Sequence, residues 1–260
     1  MIFYFSGTGN SLWAAKELKR HFTGDLISIA DELNMENNTF RYAVEADEAI
    51  FFVFPVHSWG AAILVLEFIK RLVVHNYHSQ NIYAIGTCGD NCGNTSSMLA
   101  KALHKRGLHL SKTYSIAMPN NYILMKGFGL DPKPLEEQKL QMALPRLNDI
   151  VTDIQTKGDK NLYEKGKYAR LKSGLIYPIF KTFAVKHPSF YATDACISCG
   201  LCVRICPVKT ISLSGGKPVW SKRCVQCCGC IHRCPTRAIE WGNITLDQGR
   251  YLHPDLKRES

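Results

Sequence analysis

The chain has 260 residues, of which 46% are hydrophobic and 21% charged, and a formal net charge of +10. It is long enough for one full α/β core with a smaller module beside it. The longest apolar runs, AIFFVFPV and the stretch around LIYPIF, are too short to span a bilayer, which excludes a transmembrane segment. A strand-like run opening at Ile2 leaves no room for a signal or transit peptide, so a cytoplasmic protein is expected.

In chain order, IFYFS reads as a first strand, and SLWAAKELKRHF as a helix with Leu12, Ala15, Leu18 and Phe22 on one face. DLISIA is a second strand, and EAIFFVFP a third, continuously apolar as a buried parallel strand should be. The segment between them, DELNMENNTF, is polar and predicts only a short or irregular helix. AAILVLEFIKRLV is a helix, NIYAIGT a fourth strand, NTSSMLAKALHKR a helix stopped at Gly107, and TYSIAMP a fifth strand. Leu140, Leu144, Leu147, Val151 and Ile154 mark a closing helix in spite of Pro145. Strands alternating with helices predict an α/β, doubly wound parallel sheet over residues 1–156.

Ligands of such sheets bind at the carboxyl ends of the strands. The loop there after the first strand is SGTGNS. Its glycines permit a tight turn, while Ser6, Thr8, Gly9, Asn10 and Ser11 offer hydroxyls and amides to one anion at a helix N-terminus. It holds no lysine and lacks the third glycine of a dinucleotide fingerprint, where Leu12 stands. The loop resembles the FMN phosphate loop of the flavodoxin family, S/T-x-T-G-x-S/T directly after the first strand, and matches it at every specified position. The resemblance implies a flavodoxin-like five-stranded sheet of order 2-1-3-4-5 and a bound FMN. It also implies ring contacts from the loops after the third and fourth strands. Those are PVHSWGA, with Pro55, His57, Trp59 and Gly60, and TCGDNCGN, with Thr87, Cys88, Gly89 and Gly93. Asn120 and Tyr122 of PNNY would reach the flavin rim. Trp59 is read as stacking on the ring, and His57 as either a proton donor or a surface histidine. Cys88 and Cys92 are either a redox pair or, the preferred reading, ordinary loop thiols.

Eleven cysteines suit metal ligation better than disulfides in a reducing compartment, and nine of them lie between residues 196 and 234. CISCGLCVRICP, residues 196–207, and CVQCCGCIHRCP, residues 224–235, superpose after a shift of 28 residues. Each is C-x2-C-x2-C-x3-C-P, the pattern of bacterial ferredoxins with two [4Fe–4S] clusters. Three close cysteines wrap one cube, and the fourth, turned away by proline, ligates the other. Cys196, Cys199, Cys202 and Cys234 are therefore expected on one cluster, and Cys224, Cys227, Cys230 and Cys206 on the second. Zinc fails on spacing. Cys228 has Gly200 as its counterpart and is the spare. Ile197, Val203, Ile205, Val225 and Ile231 are expected to keep water from the clusters, and SLSGGKPVW to form a hairpin.

Residues 1–156 sum to −1, the connector 157–190 to +6, and residues 191–260 to +5. Such asymmetry fits an acidic redox partner protein or a membrane surface. The preferred explanation is internal: anionic clusters and a flavin phosphate offset it, and no nucleic-acid motif accompanies the charge. The connector stretch KGKYARLKSGLIYPIFKTFAVKH reads as a packed interdomain element with solvent-facing lysines, or else as an amphipathic element at a membrane surface. The ferredoxin module is expected over 191–242, with an irregular C-terminal tail over 243–260.

As a whole the chain resembles the flavodoxin–ferredoxin fusion proteins of anaerobic microbes. This implies an electron relay between two one-electron clusters and FMN, which handles one or two electrons, with a partner protein beyond. An FMN-dependent reductase of a small organic substrate is the alternative, and a non-redox basic binding module the third.

Overall fold

Apolar runs without a polar interruption became the centre of the sheet: Ile50, Phe51, Phe52, Val53 and Phe54 are all fully buried, as a strand covered on both faces requires. The computed structural model describes residues 1–35, 38–184, 189–221 and 223–258. Its N-terminal part runs β1 (Ile2–Tyr4), α1 (Asn10–Lys19), β2 (Leu26–Ser28), α2 (Ile29–Asn34), β3 (Phe40–Ala43), β4 (Ile50–His57) and β5 (Gly60–Ala61). It continues with α3 (Ile63–Arg71), β6 (Leu72–His75), β7 (Ile82–Cys88), α4 (Thr95–His104), β8 (Leu110–Ala117) and α5 (Lys133–Gln155).

The main sheet is parallel with order β2-β1-β4-β7-β8. Because side chains alternate along a strand, Phe3, Phe52 and Phe54 face α3 and α4 through Phe68 and Leu99. Ile2, Phe51 and Val53 face α1 and α5 through Leu18 and Leu147. Each such side chain contributes about 1.5–3 kcal/mol when fully buried.

Several expectations needed adjustment. The buried face of α1 is Ala14, Ala15 and Leu18. Leu12 is only half-buried, and Phe22 lies past the helix end, packed on the Phe51 ring at 4.7 Å. Small alanines let the helix lie close to the sheet, and that rotates the stripe. In α5, Leu147, Val151 and Ile154 are buried, but Leu144 is 45% exposed and Ala143 and Ile150 turn inward instead. The polar stretch forms α2, capped by Ser28 accepting from the Asp31 amide. After it comes β3, which pairs in parallel with β6 outside the main sheet, taking the last residues expected of α3.

The C-terminal part carries β9 (Phe190–Ala192), β10 (Ile211–Ser214), β11 (Lys217–Trp220) and β12 (Ile239–Trp241). β10 and β11 form the expected hairpin, and β9 pairs with β12. The 28-residue repeat extends to the backbone. Ser198 and Gln226 have φ of 56° and 50°, Gly200 and Cys228 69° and 57°, and Lys209 and Arg237 46° and 53°. Five of these six are not glycine, and a left-handed non-glycine residue costs about 1–2 kcal/mol. Unfavourable turns kept at equivalent positions of both halves point to a shared geometric demand.

Residues 169–184 are helical, with π-type turns at Lys172–Ile176 and Phe180–Ala184. Ala169, Ser173, Tyr177 and Phe180 are buried against the N-terminal part. The end of the predicted connector, residues 185–188, lies outside the described residues. Among the described residues no helix is long and apolar enough to cross a membrane.

Buried Asp153 ties α5 to the sheet edge, accepting from Lys112 Nζ at 2.6 Å, the Tyr114 hydroxyl at 2.9 Å and the Lys160 amide at 3.0 Å. Removing the carboxylate leaves the Tyr114 hydroxyl and the Lys160 amide unmet, while Lys112 keeps only the Gly158 carbonyl at 3.0 Å. Asp153→Ala is expected to cost about 3 kcal/mol, read as a lower urea midpoint in far-ultraviolet circular dichroism.

Candidate functional site

The eight motif cysteines separate into two groups. A cavity is lined by Cys196, Cys199, Cys202 and Cys234, with Leu213 and Ile239 in its wall. A second is lined by Cys206, Cys224, Cys227 and Cys230, walled by Phe190 and Val225 among others. Each cavity thus takes three cysteines from one motif and the fourth from the other. Among the described residues no group of three or more His, Cys, Asp or Glu could hold a metal ion. A four-iron cube makes a different demand, one thiolate per corner iron around a central space, and the cysteine-lined cavities fit it.

Backbone amides point at the sulfurs in matching fashion: Thr210 N–H donates to Cys206 Sγ at 3.4 Å, and Ala238 N–H to Cys234 Sγ at 3.3 Å, 28 residues on. Gln226 N–H donates to Cys224 Sγ at 3.3 Å. Burial pushes the Cys224 thiol up to about 11 and the Cys227 thiol to about 12. Neutral pH alone therefore leaves them protonated, and a bound cation is what would draw thiolates out. Cys228 borders the second cavity as well, but its Sγ donates to the Gln226 carbonyl at 3.5 Å. It occupies the left-handed position that Gly200 takes in the first motif. Ile197, expected to shield a cluster, is 63% exposed. Ile231 is fully buried as expected.

The SGTGNS loop lies directly against the second motif: a Cβ on Gly7 would collide with the Cys227 carbonyl oxygen. The Gly9 amide donates to Ser6 Oγ at 3.1 Å, and Ser11 shares a hydrogen bond with Thr87 at 2.7 Å. Asn10 donates to the Pro119 carbonyl at 3.1 Å and accepts from the Tyr251 hydroxyl at 2.7 Å. Thr8 accepts from the Asn121 side chain at 2.5 Å through its hydroxyl, and from the His253 amide at 2.9 Å through its carbonyl. No protein group accepts from the amides of Gly7, Thr8, Asn10 or Ser11 among the described residues. Those free amides suit an anion such as a phosphate monoester.

The tail closes over that loop, which the sequence did not announce. A Cβ on Gly9 would sit 2.7 Å from His253 Cβ, and the His253 ring stacks on Trp13 at 5.6 Å. The tail is held by Arg250, which pairs with Glu240 at 2.7 Å, both side chains under one-tenth exposed. His232, between two motif cysteines, accepts from the Tyr251 amide at Nδ1 (3.1 Å), so its Nε2 donates to the Asn121 carbonyl at 2.6 Å.

The expected ring-flanking residues come together, but on each other. Ser58 and Trp59 have φ of 48° and 59° and form the two-residue turn between β4 and β5, where His57 pairs with Gly60. Both positive φ values mark the primed hairpin turn. Trp59 meets Lys172 Nζ, 4.8 Å from its ring centroid, rather than an open slot. A Cβ on Gly93 would lie 2.8 Å from Trp59 Cβ, the Tyr177 ring covers Gly60, and the Asn120 side chain covers Gly89. Asn120 itself is held by Asp131 at 2.7 Å. Tyr122 donates to Gln226 Oε1 of the second motif at 2.7 Å. Pro55 is half-buried at the carboxyl end of β4, beside Thr87 in register. The Cys88 thiol donates to the Ile116 carbonyl at 4.0 Å, and Cys88 and Cys92 are both buried. The loop amides therefore fit a phosphate, while the ring-flanking residues in this arrangement do not leave room for an isoalloxazine.

Residues 182–239 match the family of 4Fe-4S dicluster domains. The C-terminal module is a 4Fe–4S ferredoxin-type domain. No curated protein matches the chain. Solved structures show a loose likeness. A provisionally assigned flavoprotein from Bacteroides uniformis ATCC 8492 superposes with TM-score 0.34 and 16% identity over 53% of this chain and 95% of that one. The Trp repressor binding protein from Bacillus subtilis gives 0.33 and 14% over 56% and 95%. An azoreductase from Bacillus anthracis str. Sterne gives 0.35 and 10% over 58% and 98%. Superposition at that level carries no argument about ligand or reaction.

Two outcomes follow for the ferredoxin-type module and its neighbours. Arg250→Ala leaves Glu240 buried without its cation, an expected loss of about 3–5 kcal/mol. Amide exchange at Tyr251 and His253 should accelerate first. Burial lowers the His57 imidazole to about 4, against about 6.5 in the unfolded chain. The unfolded state binds the extra proton, so His57 costs no stability above pH 6.5 and progressively more as pH falls toward 4. His57→Gln should flatten that acid limb in melting temperatures measured across the window.

Proposed function

We propose that the chain is an electron-transfer protein with two [4Fe–4S] clusters, exchanging electrons with a redox partner protein. One cluster would be held by Cys196, Cys199, Cys202 and Cys234, the other by Cys206, Cys224, Cys227 and Cys230. The observation that carries this reading is the sorting of eight cysteines into two cavities by crossed sets. Bound there, each cluster supplies one-electron oxidation and reduction. The protein's part is to set the environment. Apolar walls such as Phe190 and Val225 exclude water, and the Thr210, Gln226 and Ala238 amides direct partial positive charge at ligating sulfurs.

A second reading adds FMN at the SGTGNS loop as a two-electron centre beside the second cluster, and the free loop amides next to Cys227 favour it. It requires the Trp59 turn and the connector helix to move apart. A reductase with an open substrate pocket is favoured less, because the half-buried His57 is neutral at ordinary pH.

Iron, acid-labile sulfide and flavin in protein purified without oxygen test these readings together. Iron for two clusters is expected, falling by half in Cys234→Ser and again by half in Cys206→Ser. Full iron retention in both variants would refute the crossed assignment. Stoichiometric FMN would establish the second reading, and its absence would leave the iron–sulfur relay alone.

A further inference from the structure

The connector helix buries one face and exposes another that is apolar. Tyr168, Leu171, Leu175, Ile176 and Ile179 are 76%, 56%, 54%, 38% and 49% exposed. Leu171, Leu175 and Ile179 recur every four residues, so they form one stripe along the helix. From the buried face of the helix, Phe180 packs edge-on against Tyr122 at 6.2 Å, and Tyr122 against Phe128 at 6.1 Å, so the loop after β8 lies near the helix. That loop exposes Met125 at 43% and Phe128 at 45%. Exposed apolar side chains gathered in this way, rather than scattered, mark an interaction surface.

The charge along the stripe is predominantly basic, with one exposed carboxylate, Glu164, at its start. Lys165, Lys167, Arg170 and Lys181 are exposed on the connector, Lys126 lies between Met125 and Phe128, and no acidic residue occurs in residues 165–184 or 121–130. Protein–protein interfaces are depleted in lysine. An apolar stripe with lysines and arginine along its edges is instead the signature of a helix lying in a lipid headgroup layer.

We propose that residues 165–184, with the Met125–Phe128 loop, form a docking surface for an anionic lipid bilayer. Leu171, Leu175 and Ile179 would enter the acyl boundary while the basic side chains meet lipid phosphates. This places the chain on a membrane without spanning it, and it is independent of whether flavin binds.

The test is co-sedimentation of the intact, cluster-containing protein with vesicles of phosphatidylcholine alone and of phosphatidylcholine mixed with phosphatidylglycerol. Binding is expected to the mixed vesicles, weakening with added salt. Each basic residue near an anionic surface contributes about fivefold, so Lys165→Gln/Lys167→Gln/Lys181→Gln should weaken binding about a hundredfold. Leu175→Asp and Ile179→Asp change exposed positions only and should abolish it with visible absorbance unchanged. Binding that survives both aspartate variants would overturn the proposal, since general basic charge would then suffice. Failure to bind either vesicle would overturn it too, leaving the face to an acidic, apolar protein partner.

Discussion

The rest of the arrangement hinges on the close contact of Gly7 with the Cys227 carbonyl. There is no space for a side chain between the first loop of the sheet and the second cysteine motif. Everything near that contact is arranged to keep it. Val225 and Cys227 join the apolar core beneath α3 and α4, while Ile123 and Leu124, just past β8, enter the core of the ferredoxin-type module. His232 then links that module to Asn121 and Tyr251 with both ring nitrogens in use. The two parts share core residues, which is more than packing side by side.

What was legible in the sequence was local. Ligand spacing and the Cys-Pro turns act within a dozen residues, so the two motifs could be aligned by eye, and their φ values repeat with the same 28-residue offset. The five strands of the main sheet were legible because buried parallel strands are continuously apolar. Long-range features were not. Nothing in PNNY indicates that Tyr122 will bond Gln226 rather than line a ligand. The tail is polar and short of periodicity, and its position depends on contacts closed only in three dimensions: the Arg250–Glu240 pair, Tyr251 on Asn10 and the His253 amide on Thr8. Ile197 looked like a core residue by type and is exposed, because hydrophobic character alone does not say which side of a short turn faces inward.

The loop SGTGNS shows how a motif and its surroundings can differ in what they permit. Its amides at the start of α1 have no acceptor among the described residues, a local property of the turn. The space a larger ligand would need belongs to distant residues: Trp59 in its left-handed turn, Tyr177 over Gly60, and the tail over Gly9. Sequence reasoning reaches the first and not the second.

The crossing of Cys206 and Cys234 into opposite cavities also bears on how the chain folds. A filled cavity would join Cys196 to Cys234, and the other Cys206 to Cys230, closing one loop nested within the other. Cross-links of that kind remove conformational freedom from the unfolded chain, as a disulfide does, and more so for longer loops. Neither loop can be completed until both halves of the repeat are present. With clusters bound in that crossed arrangement, neither site would close before the second motif is in place, and metal–sulfur bonds rather than a large core would hold the strained left-handed turns.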